Sequence, residues 1–320
     1  MTSEVMDLVP FRGHSSSMPN STEVLRSIQR GPQRFVDVGH ARIAHWCFGR
    51  GPDLVLVHGW PLHAATWRHV VPQLAERFTC HLIDLPSVGQ SEISDATVVG
   101  LKEHAQTLRT VIRELGLERV ALVGHDSGAV VTRFAAAELG ERVSALVIGN
   151  SEIPGYHPWQ LQAYLIAMKI PFGLQMVTQS LRLGWLRRSA AAYGGCFADG
   201  RYADGEFGDL FVKPLYSDPS VRRGQTRLLE TFRWSVVDEL HQVHPRLTQP
   251  TCLVWGEADP FFPTRLARPM LETFGGNAIW RGIPRGKLFA HEDFANDFAG
   301  HAQAFLTRVL DPERRAPRLS

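Results

Sequence analysis

Val120-Ala121-Leu122-Val123-Gly124-His125-Asp126-Ser127-Gly128-Ala129 is the stretch on which the rest of the chain turns. The apolar run Val120–Val123 reads as a strand, and Ala129 to Leu139 as a helix. Strand, sharp turn and helix form the context of a nucleophile elbow. There a strained turn lifts one side chain clear of the sheet, and small residues two before and two after let the backbones approach. One register satisfies that spacing. With Asp126 central, the flanks are Gly124 and Gly128; with Ser127 central, they would be His125 and Ala129. A histidine does not fit where backbones must close, so the candidate nucleophile is a carboxylate. The competing reading is a tight turn shaped by two glycines, with Asp126 capping the helix.

The chain has 320 residues, 44% of them hydrophobic, and a net charge of +2. That suffices for one large α/β domain with an inserted subdomain. The near-neutral balance gives no footprint for nucleic acid, and no run reaches the roughly 18 apolar residues that span a bilayer. The N-terminus lacks the charged start and apolar core of a secretory signal. Cys47, Cys80, Cys196 and Cys252 are widely spaced and read as buried thiols in a reducing compartment, with no metal-ligand spacing. A cytoplasmic location is expected, with neither metal nor cofactor, and with a small organic molecule rather than nucleic acid or membrane as partner. Monomer and homodimer are both open.

Residues 1–32 read as a mobile leader with a short helix around Thr22–Gln29. Strands are predicted at Arg34–Val38, Ala41–Phe48, Leu54–Val57, Cys80–Pro86, Ala145–Ile148, Thr251–Trp255 and Asn277–Ile283. Helices are predicted at Thr66–Phe78, Val99–Leu115, Thr264–Phe274 and His291–Leu310. Alternating strands and helices define a doubly wound, mostly parallel sheet, whose ligand sits outside the carboxyl ends of the strands. The loops His58–Pro61, Asp126–Gly128 and Asn150–Pro154 should converge there. Residues 33–152 and 246–310 form this core. Residues 153–245, helical and rich in aromatics, form a cap, and 311–320 a frayed tail. Cap aromatics such as Trp159, Tyr164, Phe172, Tyr193 and Trp234 serve either as the cap's own core or, with His58, as the walls of an apolar pocket.

From Arg34 to Leu310 the chain resembles the α/β-hydrolase superfamily, and within it the branch of epoxide hydrolases and haloalkane dehalogenases. The likeness rests on His58-Gly59-Trp60-Pro61, Asp84-Leu85-Pro86-Ser87-Val88-Gly89-Gln90-Ser91, the aspartate elbow, and Gly256-Glu257-Ala258-Asp259. It implies a helical cap over the α/β core and a cofactor-free hydrolase. Asp126 would attack a saturated carbon to form an alkyl-enzyme ester, which water then hydrolyses. The backbone N–H groups of Trp60 and Ser127 would meet the oxyanion. Asp259 would be the acid of the triad, with Glu152 as the alternative. The branch's usual histidine position falls on Leu288; His291, three residues on, is the candidate base. An epoxide is the preferred substrate, because Ser127 replaces the halide-binding tryptophan of the dehalogenases. A dehalogenase is the alternative, and a catalytically degenerate fold that binds a hydrophobic ligand is the third.

Overall fold

The computed structural model describes residues 18–310. The N-terminal part of the expected leader and the expected tail lie outside the described residues. The apolar runs pair into one nine-stranded sheet: β1 (Arg34–Asp37), β2 (Ala41–Gly49), β3 (Asp53–Val57), β4 (Thr79–Ile83), β5 (Glu92–Ile93), β6 (Val120–Gly124), β7 (Val143–Gly149), β8 (Thr251–Gly256) and β9 (Ala278–Ile283). The order is β1-β2-β4-β3-β6-β7-β8-β9, with β5 added to β2. The β1–β2 and β2–β4 pairs are antiparallel; every pair from β4–β3 to β8–β9 is parallel. The fold is therefore the expected α/β architecture with a mostly parallel sheet. All five residues of β6 are buried, which is why that strand reads as unbroken apolar sequence.

Strand order reverses around β3. The chain leaves β3 for β4 on one side, then returns to β6 on the other. Val57 pairs with Gly124 at the carboxyl ends of these two strands, so the loops that follow them open at the switch point. Those loops carry Gly59-Trp60 and Asp126.

Helix α1 (Ser21–Arg30) is closed by an Asn20–Glu23 capping box and buries Val24, Leu25 and Ile28. This part of the expected mobile leader is docked on the core. The helix expected over Thr66–Phe78 is instead a 3₁₀ turn, Ala64–Trp67, and a short helix, α2 (Val71–Leu74), with Pro72 in its first turn. Pro72 has no N–H to donate back into a preceding turn, so one continuous helix cannot run through it. α3 (Leu101–Glu114) and α4 (Ser127–Leu139) follow. Nine consecutive residues of α4, Gly128 to Ala136, are buried, including Arg133. The final helix starts later than expected: Ala290–Asp293 is a separate turn, and Phe294 interrupts it before Ala295–Leu310.

Between β7 and β8 the chain is helical, with Trp159–Lys169, Gly173–Ser180 and Pro219–Thr231 as its longest helices. This is the cap. Phe197, Phe207 and Phe211 pack together inside it and against Phe289 of the core. Among the described residues no helix is long and apolar enough to cross a membrane.

The glycines of the elbow are steric necessities. A Cβ on Gly128 would stand 2.2 Å from the His58 carbonyl oxygen, and one on Gly124 would stand 2.7 Å from the Ala129 Cα. Gly128→Ala should lower the urea unfolding midpoint, by about 1–3 kcal/mol of stability, the usual range for forced overpacking. Gly300→Ala, whose added methyl meets only Gln73 Nε2 at 3.6 Å, should raise it by up to about 1 kcal/mol through helix propensity.

Candidate active site

Asp126 has φ 51° and ψ −136°, a region that side chains other than glycine avoid. Its backbone is tied from both sides. Its N–H donates to the Asn150 carbonyl at 2.7 Å, and its own carbonyl accepts from the Ala129 N–H at 2.8 Å and from Ser151 Oγ at 3.0 Å. The strained turn therefore persists because its surroundings over-determine it. The Asp126 side chain then points into the space between sheet and cap. Its Oδ2 accepts from the Trp60 N–H at 3.0 Å, and the Ser127 N–H also bonds to the carboxyl.

The loop that presents Trp60 is held by His58. The Leu85 N–H donates to His58 Nε2 at 2.9 Å, so the proton sits on Nδ1, which meets the Gly59 carbonyl at 3.1 Å. Burial pushes His58 down to about 4, and it stays neutral. Asp84, fully buried, ties the next loop: its carboxylate accepts from the Ala64 and Gln90 N–H groups, each at 2.7 Å.

Asp126 opens on a cavity of about 310 Å³ whose walls are mostly apolar. Trp60, Ser127, Glu152 and Leu288 line it from the core; Leu161, Tyr164, Leu181, Tyr193 and Cys196 line it from the cap. His58, Tyr164 and Tyr193 thus sit where the pocket was expected. Trp159 and Phe172 do not: they are 73% and 78% exposed and face away from it. Trp234 packs on His157 and Phe232 instead of lining the cavity. Helical periodicity in the cap has two sides, and sequence does not say which faces the core. Cys196 was read only as a buried thiol, and nothing in its sequence neighbourhood marks it as a wall residue.

His291 is fully buried but is not brought to Asp126. Its Nε2 meets Thr66 Oγ1 at 2.7 Å, its ring lies 3.9 Å from that of His125, and its Nδ1 has no partner among the described residues. Thr66 Oγ1 donates to Glu292 Oε1 at 2.7 Å, so it accepts from His291. Glu292 in turn pairs with buried Arg68 at 3.0 Å. The short helix Ala290–Asp293 thus directs His291 into a polar knot beneath the Ala64–Trp67 turn. Leu288 lines the cavity in its place, and its carbonyl accepts from His125 Nε2 at 2.7 Å. Burial and the nearby His125 hold His291 well below the usual histidine range, so it is neutral.

Asp259 is buried beside the site, and among the described residues it has no histidine partner. Its Oδ2 accepts from Asn150 Nδ2 at 2.7 Å, and its Oδ1 from the Phe261 and Phe262 N–H groups at 2.8 and 3.2 Å. Glu152 lines the cavity, and its Oε2 lies 3.1 Å from Ser151 Oγ. Behind it, buried Arg133 donates to Ser151 Oγ at 2.7 Å and to the Glu152 carbonyl at 3.1 Å. Burial raises all three carboxyls. Asp126 rises well above the usual range, through burial and then the charge of Glu152, against the pull of its two N–H donors. Glu152 also rises, and Asp259 is pushed up to about 6.

Residues 52–276 match the family defined by the alpha/beta hydrolase fold, and the chain belongs to that family. Among named relatives, haloalkane dehalogenase 2 of Mycobacterium bovis is 26% identical over 264 residues, covering 81% of this chain and 90% of the relative. The soluble epoxide hydrolase of Corynebacterium sp. strain C12 is 38% identical over 107 residues, 33% of this chain and 37% of that one. The solved structure of the epoxide hydrolase CorEH superposes with a TM-score of 0.71 at 21% identity, covering 86% of this chain and 98% of that one. The protein is a member of the hydrolase superfamily with dehalogenase and epoxide hydrolase relatives.

A carboxyl whose pKa is higher in the folded chain than in the unfolded one binds more protons when folded, so its contribution to stability falls as pH rises through that interval. Asp126 is such a group. Asp126→Asn should therefore melt above the parent protein by a margin that widens from pH 4 to pH 8, measured by differential scanning calorimetry. A margin independent of pH would contradict the burial argument.

Proposed function

We propose that the protein is a cofactor-free hydrolase that opens a small hydrophobic epoxide by forming an alkyl ester on Asp126. Asp126 Oδ1 attacks one epoxide carbon, and the ring C–O bond breaks. The observation that carries this reading is the pair of phenols on the cavity wall. Tyr164 and Tyr193 line the same cavity as Asp126, and the Tyr164 ring lies 5.5 Å from that of Trp60. An opening epoxide leaves as an alkoxide and needs a proton. Burial raises both phenols, so they remain protonated and can supply it. The Trp60 N–H holds the other carboxylate oxygen, the Ser127 N–H also bonds to the carboxyl, and both remain in place for the oxyanion of the second step.

Carbon–halogen cleavage is the second reading, and one observation favours it. The buried indole Nε1 of Trp60 has no hydrogen-bond partner among the described residues, while the residue lines the cavity. A halide leaving Asp126's target carbon could take that N–H.

Incubation with styrene oxide or 1-bromohexane separates the two. The expected result is an enzyme mass raised by one epoxide, located on the peptide containing Asp126, with diol formed. Asp126→Asn should show neither. Tyr164→Phe with Tyr193→Phe should slow adduct formation by about 10²-fold or more, the lower range for loss of general-acid catalysis. Halide release without any reaction with epoxides would replace this reading by the second.

A further inference from the structure

We infer that Glu152 itself is the general base that hydrolyses the alkyl ester on Asp126, with no histidine between them; this rests on the ester-forming reading above. The second half of the reaction needs a group that removes a proton from water beside the Asp126 carboxyl. The cavity leaves few choices. Leu288 lines it on the segment that precedes His291, and His291 is engaged with Thr66. His58 uses both ring nitrogens to hold its loop. His104, also on the wall, has an Nε2 without a partner among the described residues, but its surroundings are the Pro86 carbonyl and the neighbouring His58 and His40, not Asp126. Asp259 spends its two oxygens on three donors.

Glu152 is different in three ways. It is buried yet on the cavity wall. It is tied to the nucleophile through one hydroxyl, since Ser151 Oγ lies 3.0 Å from the Asp126 carbonyl and 3.1 Å from Glu152 Oε2. It is also the charge that acts most strongly on Asp126, and Arg133 stands behind it as a fixed cation.

The arrangement supplies its own timing. While Asp126 is a free carboxylate, the two like charges oppose each other. Esterification removes the charge on Asp126, and the Glu152 carboxylate then faces Arg133 without that opposition. Its carboxylate takes one proton from water as the oxygen bonds to Asp126 Cγ. The tetrahedral oxyanion is held by the Trp60 and Ser127 N–H groups. Collapse breaks the bond from Cγ to the alkyl oxygen, which takes the proton from Glu152 and leaves as the diol. Asp126, now a carboxylic acid, returns its proton to the phenolate that protonated the epoxide oxygen.

The test follows styrene oxide with the full-length protein by rapid-quench intact-mass spectrometry. In Glu152→Gln the alkyl-enzyme should form within tenfold of the parent rate and accumulate to near one per chain, with diol release slowed by about 10²-fold or more. Glu152→Asp, which keeps the charge and retracts it, should slow release to an intermediate degree and covers the case in which the glutamine variant does not fold. His291→Gln should release diol at the parent rate. Diol release at the parent rate from folded Glu152→Gln or Glu152→Asp overturns the proposal, as does trapping in the His291 variant. Absence of any adduct in every variant and in the parent would instead remove the ester-forming reading, and this one with it.

Discussion

The site depends on one strained residue held in place by its neighbours. Asp126 occupies a backbone conformation that costs on the order of 1–3 kcal/mol for a side-chain-bearing residue. That cost is offset by hydrogen bonds from β7's exit loop on one side and by glycine-only contacts with β3's exit loop on the other. Both loops exist where they do because strand order reverses at β3. Remove the reversal, and the Trp60 N–H no longer reaches the Asp126 carboxyl. The strain, the sheet topology and the two N–H donors are thus one device seen at three scales.

Around that device the electrostatics are unusual. Asp126, Glu152 and Asp259 are all buried, and the histidines nearby are held neutral by burial. Charge balance comes from Arg133, buried on α4 and pushed down to about 10 by its surroundings, and from backbone N–H groups. A second buried cation, Arg68, is spent on Glu292 and on Glu206 of the cap. That cluster ties the cap to the core near His291, and it explains why His291 faces Thr66. The histidine belongs to the packing of that cluster.

Much of this was legible in the chain beforehand. The strands were, because parallel strands buried on both faces must be apolar along their whole length, as in Val120–Val123. The register of the elbow was, because glycine at 124 and 128 answers a steric demand that the structure displays directly. Helix limits were weaker. The apolar spacing across Thr66–Phe78 suits one helix, yet Pro72 and the pull of Glu292 on Thr66 divide it. The cap was the least legible. Trp159 and Phe172 look like wall residues in sequence and stand in solvent, while Cys196 and Tyr193 reach the cavity. Which side of a helix faces inward is set by its partners.

The sequence by itself determined the sheet, the position of the carboxylate at the elbow and the loops that meet it, because each follows from local sterics or from burial along a strand. It also placed Leu288 where the family has its histidine. Only the tertiary structure decided where His291 points and that Glu152 faces the cavity, because side-chain direction after a short turn depends on contacts far away in the chain. Thr66 and Glu292, 226 positions apart, form the bond that turns His291 aside.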